Sequence, residues 1–204
     1  MACQPDRAAI ISLHENIELT FKELQEKVDK LAALLVRYLF VGRGDVVAIM
    51  TANTYKFVVL QYACAKIGAI LCPINAYYKY NELQFSLLKI NPKVLFIPGP
   101  ESPQEQSVNR FYEVFMKTSN TLPQSMRFLV LLDGSVKEAT IDNVKVHSFH
   151  QLMMLPDLRS AAPKDTNNND DVDKIHYVDY LDADKPCALF FTSVISFILD
   201  PCPD

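Results

Sequence analysis

The hydrophobic positions of this chain fall into short uncharged runs, separated by longer stretches in which apolar residues recur at helical spacing. Val46-Val47-Ala48-Ile49-Met50 carries no charge, as a strand buried on both faces requires. Thr51-Ala52-Asn53-Thr54 breaks the run. From Tyr55 onward, Phe57, Val58, Leu60, Gln61, Ala63, Cys64 and Ile67 follow a helical period, with small residues on the side that must approach a sheet closely. Gly68 stops the helix, Ala69-Ile70-Leu71-Cys72 is a second strand, and Pro73 is expected to end it because a central strand needs every ladder donor. A crossover of this length closes a parallel pair with right-handed sense, so the pattern predicts an α/β fold: a mainly parallel sheet flanked by helices.

The remaining pattern adds elements to both sides of that unit. Ala8-Ala9-Ile10-Ile11-Ser12 and Ile17-Glu18-Leu19 predict a hairpin that turns at Glu15-Asn16. Thr20 and Glu23 form a capping box, after which Phe21, Leu24, Val28, Leu31, Leu35 and Tyr38 make the core stripe of a helix, with Lys22, Glu26, Lys27 and Lys30 opposite. Gly42-Arg43-Gly44-Asp45 precedes a strand, whereas an anion cradle follows one and opens a helix; it is read as a turn. Tyr77-Tyr78-Lys79-Tyr80 leads into a helix over Glu82–Ile90 that stops at Asn91-Pro92, and Val94–Ile97 is the next buried strand. Gln106–Thr118 predicts an amphipathic helix, Arg127–Leu132 a strand closed by Asp133-Gly134, and Val144–His147 a short strand, with Ser148 capping a helix over Phe149–Leu155.

Composition narrows the classes of function. The 204 residues are 50% hydrophobic and 22% charged, enough to bury a core. A net charge of -4 with basic residues scattered among acidic ones argues against nucleic acid as a partner. No apolar run is long enough to span a bilayer as a helix, and Met1–Arg7 reads as neither signal nor transit peptide, so the expectation is a soluble intracellular chain. Of the five cysteines, Cys3, Cys64, Cys72, Cys187 and Cys202, the two in apolar surroundings, Cys64 and Cys72, are expected to act as small hydrophobes. His14, His147, His150 and His176 are placed in loops or polar edges, and no metal site is predicted. Between Pro156 and Asp184 the chain gathers asparagines and aspartates with few apolar residues, the pattern of a polar loop or linker.

The order of these landmarks resembles the N-terminal part of the AMP-forming acyl-CoA synthetases, within the superfamily of adenylate-forming enzymes. Pro5-Asp6-Arg7-Ala8-Ala9-Ile10 is similar to the opening motif of that family and Leu19-Thr20-Phe21-Lys22-Glu23-Leu24 to its helix start. Gly44-Asp45, Val47-Ala48-Ile49 and Asn53 are similar to its first core strand and loop. Ala65-Lys66-Ile67-Gly68-Ala69-Ile70 through Pro73-Ile74-Asn75 most resembles the medium-chain branch, and Glu82-Leu83 and Lys93–Phe96 extend the likeness. The resemblance implies a parent enzyme that joins fatty acid to CoA through an acyl-adenylate, using ATP and Mg. The compartment is left open by these residues, with the mitochondrial matrix as an alternative if a presequence is missing from this chain.

The chain departs from that family at one place. Asp184–Ser193 resembles the strand that leads into the family's phosphate loop, which makes Thr192 and Ser193 the candidate nucleotide-binding remnant; no catalytic residue is assigned. The family continues with a loop rich in glycine, serine and threonine, then proline, lysine and glycine, but Val194–Asp204 has no glycine and no lysine. A phosphate cradle needs unhindered backbone amides and a cation, so neither ATP, Mg nor CoA is expected to bind productively. The expected organisation is an α/β subdomain over 5–155, a polar loop over 156–184, the start of a strand over 185–193 and a divergent tail over 194–204. Two readings result: an inactive N-terminal part of a fatty-acid ligase, or a non-catalytic interaction module on the same fold. Leu189–Leu199 holds eight apolar residues without charge or proline and is expected to promote self-association.

Overall fold

The computed structural model describes residues 4–100, 113, 115, 116, 122–134, 139–141, 143–156 and 185–191. Strands β1 (Ala8–Ser12) and β2 (Ile17–Thr20) form an antiparallel hairpin and run directly into helix α1 (Phe21–Arg37). The capping box closes as the sequence predicts: Glu23 N–H donates to Thr20 Oγ1 at 3.2 Å, and Thr20 N–H donates to the Glu23 carboxylate at 2.8 Å. The core stripe of α1 is shifted toward its C-terminal half. Val28, Leu31, Ala32, Ala33, Leu34 and Leu35 are buried, whereas Phe21 and Tyr38, at the two ends of the helix, are exposed.

Strand β3 (Val46–Met50), helix α2 (Tyr55–Ile67) and strand β4 (Ile70–Ile74) form the predicted unit, with β3 and β4 parallel. In α2 the buried stripe is Val59, Leu60, Ala63, Cys64 and Ile67, while Gln61 is exposed. Gly68 ends α2 in the left-handed region at φ 70°, where a side chain would be strained.

Pro73 does not end β4. It pairs with Ile49 in register. Successive residues of a parallel strand turn their backbone groups to alternate sides, and Ile70 N–H donates toward β3, to Asp45 O, at 2.9 Å. Leu71 instead faces away from β3, donating to Cys187 O at 3.1 Å and accepting from Leu189 N–H at 2.9 Å. Pro73, two residues on, shares that outer side, so its missing donor is no loss to the β3 ladder.

Helix α3 (Tyr80–Ile90) begins two residues before the predicted start, because the Glu82 carboxylate accepts the Lys79 N–H at 2.9 Å, and it ends on Asn91 at φ 49°. Strands β5 (Val94–Ile97), β6 (Phe128–Leu131), β7 (Ala139–Ile141) and β8 (Val144–Ser148) follow, then helix α4 (Phe149–Met154). Of the helix predicted over Gln106–Thr118, Glu113, Phe115 and Met116 are described; all are helical, and Phe115 is fully buried.

The sheet order is β4-β3-β5-β6-β8-β7, parallel throughout except for β7, which is antiparallel to β8. The chain leaves β3 toward β4 and then returns past it to β5. The two connecting helices therefore lie on opposite faces. Val47 and Ile49 pack with α1, α2 and α4, while Ala48 and Met50 pack with α3 and Phe115.

Smaller predictions are corrected locally. Ser148 does not cap α4; its hydroxyl donates to Gly134 O at 2.8 Å, tying β8 to the end of β6. His147 lies in strand β8 and His150 in α4, as the strand and helix predicted there require, and β8 alternates buried and open positions through to Ser148. The Gly42–Asp45 turn holds, closed by Gly42 N–H donating to Asp45 Oδ2 at 2.7 Å.

After α1 the chain unwinds through Leu39 N–H to Leu34 O at 3.0 Å and Val41 N–H to Leu35 O at 2.7 Å, which leaves Phe40 at φ 53° with its ring 66% exposed. A bulky residue is strained there and glycine is not. Phe40→Gly is expected to stabilise the chain by about 0.5–1 kcal/mol in urea unfolding, the gain from a relaxed left-handed residue. A loss of stability would show that the ring is packed rather than free.

Candidate functional site

In an open parallel sheet, ligand chemistry collects beyond the carboxyl ends of the strands, where the chain reverses its direction of winding. Here that point lies between β3 and β5. It is bordered by Thr51–Thr54, by Pro98 and Gly99, and by Leu132–Gly134 after β6. Gly99 is required at this border: a Cβ there would stand 2.2 Å from the Asp133 carbonyl oxygen.

Residues 185–191 add to the outer edge of β4. Ala188 pairs with Leu71 in parallel, as a single bridge. Pro73 has no N–H to offer at the next rung, which accounts for the shortness of this ladder. The parallel sense directs the chain at Phe191 toward the carboxyl end of the sheet. The candidate residues Thr192 and Ser193 come next in sequence and lie outside the described residues, as do the tail from Val194 and the polar stretch over 157–184.

The N-terminus of α2 opens at the same end of the sheet, and its amides are the natural seat for an anion. That seat is already filled. Glu15, from the turn of the β1–β2 hairpin, accepts Tyr55 N–H at 2.8 Å, Thr54 Oγ1–H at 2.5 Å and Ser12 Oγ–H at 2.7 Å. Thr54 caps the helix by accepting Lys56 N–H at 3.4 Å, and His14 Nε2–H donates to Asn53 O at 2.9 Å. Burial raises the Glu15 pKa, but the hydrogen bonds from Thr54, Ser12 and the Tyr55 amide outweigh it, and the carboxyl rests below its ordinary 4.5.

The nearest cation is also committed. Lys56 Nζ donates to Leu132 O at 2.8 Å and pairs with the Asp133 carboxylate, while lying over the rings of Tyr55 and Phe149. Burial, with the charges of Glu15 and Asp133, raises the Tyr55 pKa and keeps its phenol protonated. The described part of this end is therefore a self-neutralised scaffold: a carboxylate on a helix N-terminus and an ammonium on a strand terminus. It offers no free cation for a triphosphate among these groups.

The cysteines behave as the sequence suggests. Burial pushes the Cys64 thiol up to about 12 and the Cys72 thiol to about 11, so both stay neutral within the core. Among the described residues, no three His, Cys, Asp or Glu side chains gather as a metal site.

Sequence reasoning missed Glu15 and the Lys56–Asp133 pair. Glu15 reads as a turn residue and Asp133 as half of an Asp-Gly turn, and neither carries a local sign of a partner many residues away. Thr54 before a helix is the one available signal, an N-cap that implied an organised helix start.

Glu15→Gln is expected to cost about 1–3 kcal/mol, the range for a lost charge-assisted set of hydrogen bonds. Because the folded pKa is depressed, the contribution is complete above the ordinary 4.5 and disappears as pH falls through the folded value. Urea melts of the two proteins should therefore converge in acid. A gap independent of pH would place the effect in packing instead.

Comparison with known proteins accounts for this architecture. The AMP-binding enzyme family matches residues 1–193. The medium-chain acyl-CoA ligase ACSF2, mitochondrial, of Bos taurus is 29% identical over 190 residues, covering 93% of this chain and 29% of the relative. The protein of the same name from Macaca fascicularis is 35% identical over 123 residues, covering 60% of this chain and 20% of the relative. The chain thus spans less than a third of the length of these curated relatives. Among solved structures, coronafacic acid ligase from Pectobacterium brasiliense superposes with a TM-score of 0.66 at 16% identity, over 91% of this chain and 30% of that one. A putative long-chain-fatty-acid CoA ligase from Rhodopseudomonas palustris gives a TM-score of 0.59 at 23% identity, over 73% of this chain and 33% of that one. With the mainly parallel sheet and the segment bridged to β4 already in place, the match over residues 1–193 makes the chain a member of the AMP-binding enzyme family, corresponding to the N-terminal region of its acyl-CoA ligases.

Proposed function

We propose that this chain is the N-terminal piece of a fatty-acid-activating ligase that forms acyl-CoA from fatty acid, ATP and CoA through an acyl-adenylate. The observation that carries the reading is the seating of residues 185–191 parallel to β4, which aims the chain at the carboxyl end of the sheet just before Thr192 and Ser193. In the longer enzyme these two hydroxyls belong to the phosphate-contacting loop. A medium-chain substrate and a mitochondrial location are carried over from the names of the animal relatives as part of the same proposal.

Residues 1–204 do not adenylate by themselves. The groups present do not fit a magnesium-bound triphosphate: Glu15 occupies the α2 N-terminus, Asp133 neutralises Lys56, and Val194–Asp204 supplies neither glycine nor lysine. The unit over 5–155, the polar segment over 156–184, the strand over 185–193 and the tail over 194–204 remain the proposed division. Leu189–Leu199 is the proposed self-association segment; Leu189 and Phe190 at its start are already exposed.

Two measurements test this reading. Purified residues 1–204 are expected to release no pyrophosphate in response to fatty acid; release that depends on added fatty acid overturns the inactivity. A chimaera of residues 1–193 followed by the matching remainder of the cattle ligase is expected to make acyl-CoA, and Thr192→Val with Ser193→Ala to lower its kcat/KM by about 10²-fold. A cooperatively folded chimaera that is inactive, or one indifferent to both substitutions, contradicts the ligase reading.

A further inference from the structure

The amino edge of the sheet gathers positive charge. Lys93 N–H donates to Val46 O at 2.9 Å, Arg127 N–H to Lys93 O at 3.0 Å and Lys145 N–H to Arg127 O at 2.9 Å, which sets three cations side by side at the starts of β5, β6 and β8. Helices α2 and α3 return the chain to this edge, and their last turns carry Lys66 and Lys89. A cation at a helix end complements the helix dipole and by itself implies nothing more. The charges are not all balanced, however. Asp29 takes Lys66 and Asp45 takes Lys93, whereas Lys89, Arg127, Lys145 and Arg43, all exposed, meet no carboxylate within ion-pair distance among the described residues. In a chain of net charge -4 this is a local excess.

Aromatic rings stand at the same edge. The loop that brings α1 to β3 carries Phe40, exposed and at φ 53°, three residues before Arg43. The exposed ring of Tyr38 meets His147 edge-on at 5.3 Å, two residues along β8 from Lys145. Leu39 and Val41, on either side of Phe40, are buried and anchor the loop. Phe40 therefore bears a strained backbone while its ring gains little cover from the fold. Strain retained without packing is a feature of functional segments.

We propose that this edge is a peripheral docking surface for a phospholipid bilayer carrying anionic headgroups, with Phe40 entering the interface and Arg43, Arg127 and Lys145 on the headgroups. The charges are complementary, and a lipid interface accepts an aromatic ring flanked by cations without a shaped pocket. Single-stranded nucleic acid is held by a groove with rings along it, and a folded protein by a broad apolar centre; this edge offers a charged rim and a protruding ring. Docked in this way, the chain keeps the carboxyl ends of β3 and β5 on the side away from the bilayer. The surface is independent of the ligase reading.

The test floats residues 1–204 through a density gradient with vesicles, so that self-associated chain sinks and bound chain rises. Vesicles of equal parts phosphatidylcholine and phosphatidylglycerol are expected to lift the chain, and vesicles of phosphatidylcholine alone to leave it behind. Phe40→Gly, which relieves the backbone and so keeps the fold, should lower partition to the anionic vesicles about tenfold. Arg43→Glu with Lys145→Glu should abolish the lift, as should raised salt. Both side chains are exposed, and melting curves verify that each variant is folded. Equal flotation on both vesicle types, flotation on neither, or indifference to Phe40→Gly, which would move the anchor to Leu189–Leu199, each overturns the proposal. So does binding of single-stranded DNA, lost on charge reversal, by a chain that ignores the vesicles.

Discussion

Everything in this structure depends on β3 being buried on both faces. Val47, Ala48, Ile49 and Met50 are each 1% exposed or less, so the strand can exist only with helices above and below it and strands on both sides. That demand fixes the order of the elements after it. The chain must supply α2 to one face and α3 to the other, and must return past β3 to place β5. The reversal at that point leaves the crevice at the carboxyl ends of β3 and β5.

Ion pairs and one carboxylate tie this sheet and its helices together. Lys93 and Asp45 join the amino ends of β5 and β3 at 2.7 Å, and Lys66 and Asp29 join α2 to α1 at 2.5 Å. These are partly exposed and weakly stabilising. Glu15 is different in kind, because it meets backbone and hydroxyl donors that would otherwise be left without partners in a half-buried site. It pins the hairpin to the start of α2 and thereby fixes the loop that leaves β3.

The fold was legible in the sequence wherever burial alone decides. Val46–Met50, Val94–Ile97 and Phe128–Leu131 are uncharged runs buried on both faces, and Thr20 with Glu23 is a local cap whose partners are three residues apart. It was less legible where neighbours decide. Pro73 reads as a strand end until β4 is known to turn its outer side away from β3, and Ser148 reads as a cap until Gly134 is found beside it. β7 was missed because Ala139–Ile141 is three residues long, although Asn143 at φ 70° marks its turn. For the candidate site, the approach of residues 185–191 was readable from motif resemblance, while Glu15 and Asp133 act only through contacts distant in sequence.

The central claim is that the strand preceding Thr192 is seated on β4 and points to the carboxyl end of the sheet. Amide hydrogen exchange read residue by residue tests it most directly. Leu71 donates to Cys187 and Leu189 donates to Leu71, so both amides should be protected, whereas Phe190 turns its N–H to the open side and should exchange quickly. Exchange at Leu189 as fast as at Phe190 would mean that the strand is not seated, and the case for Thr192 and Ser193 at this end of the sheet would fall with it.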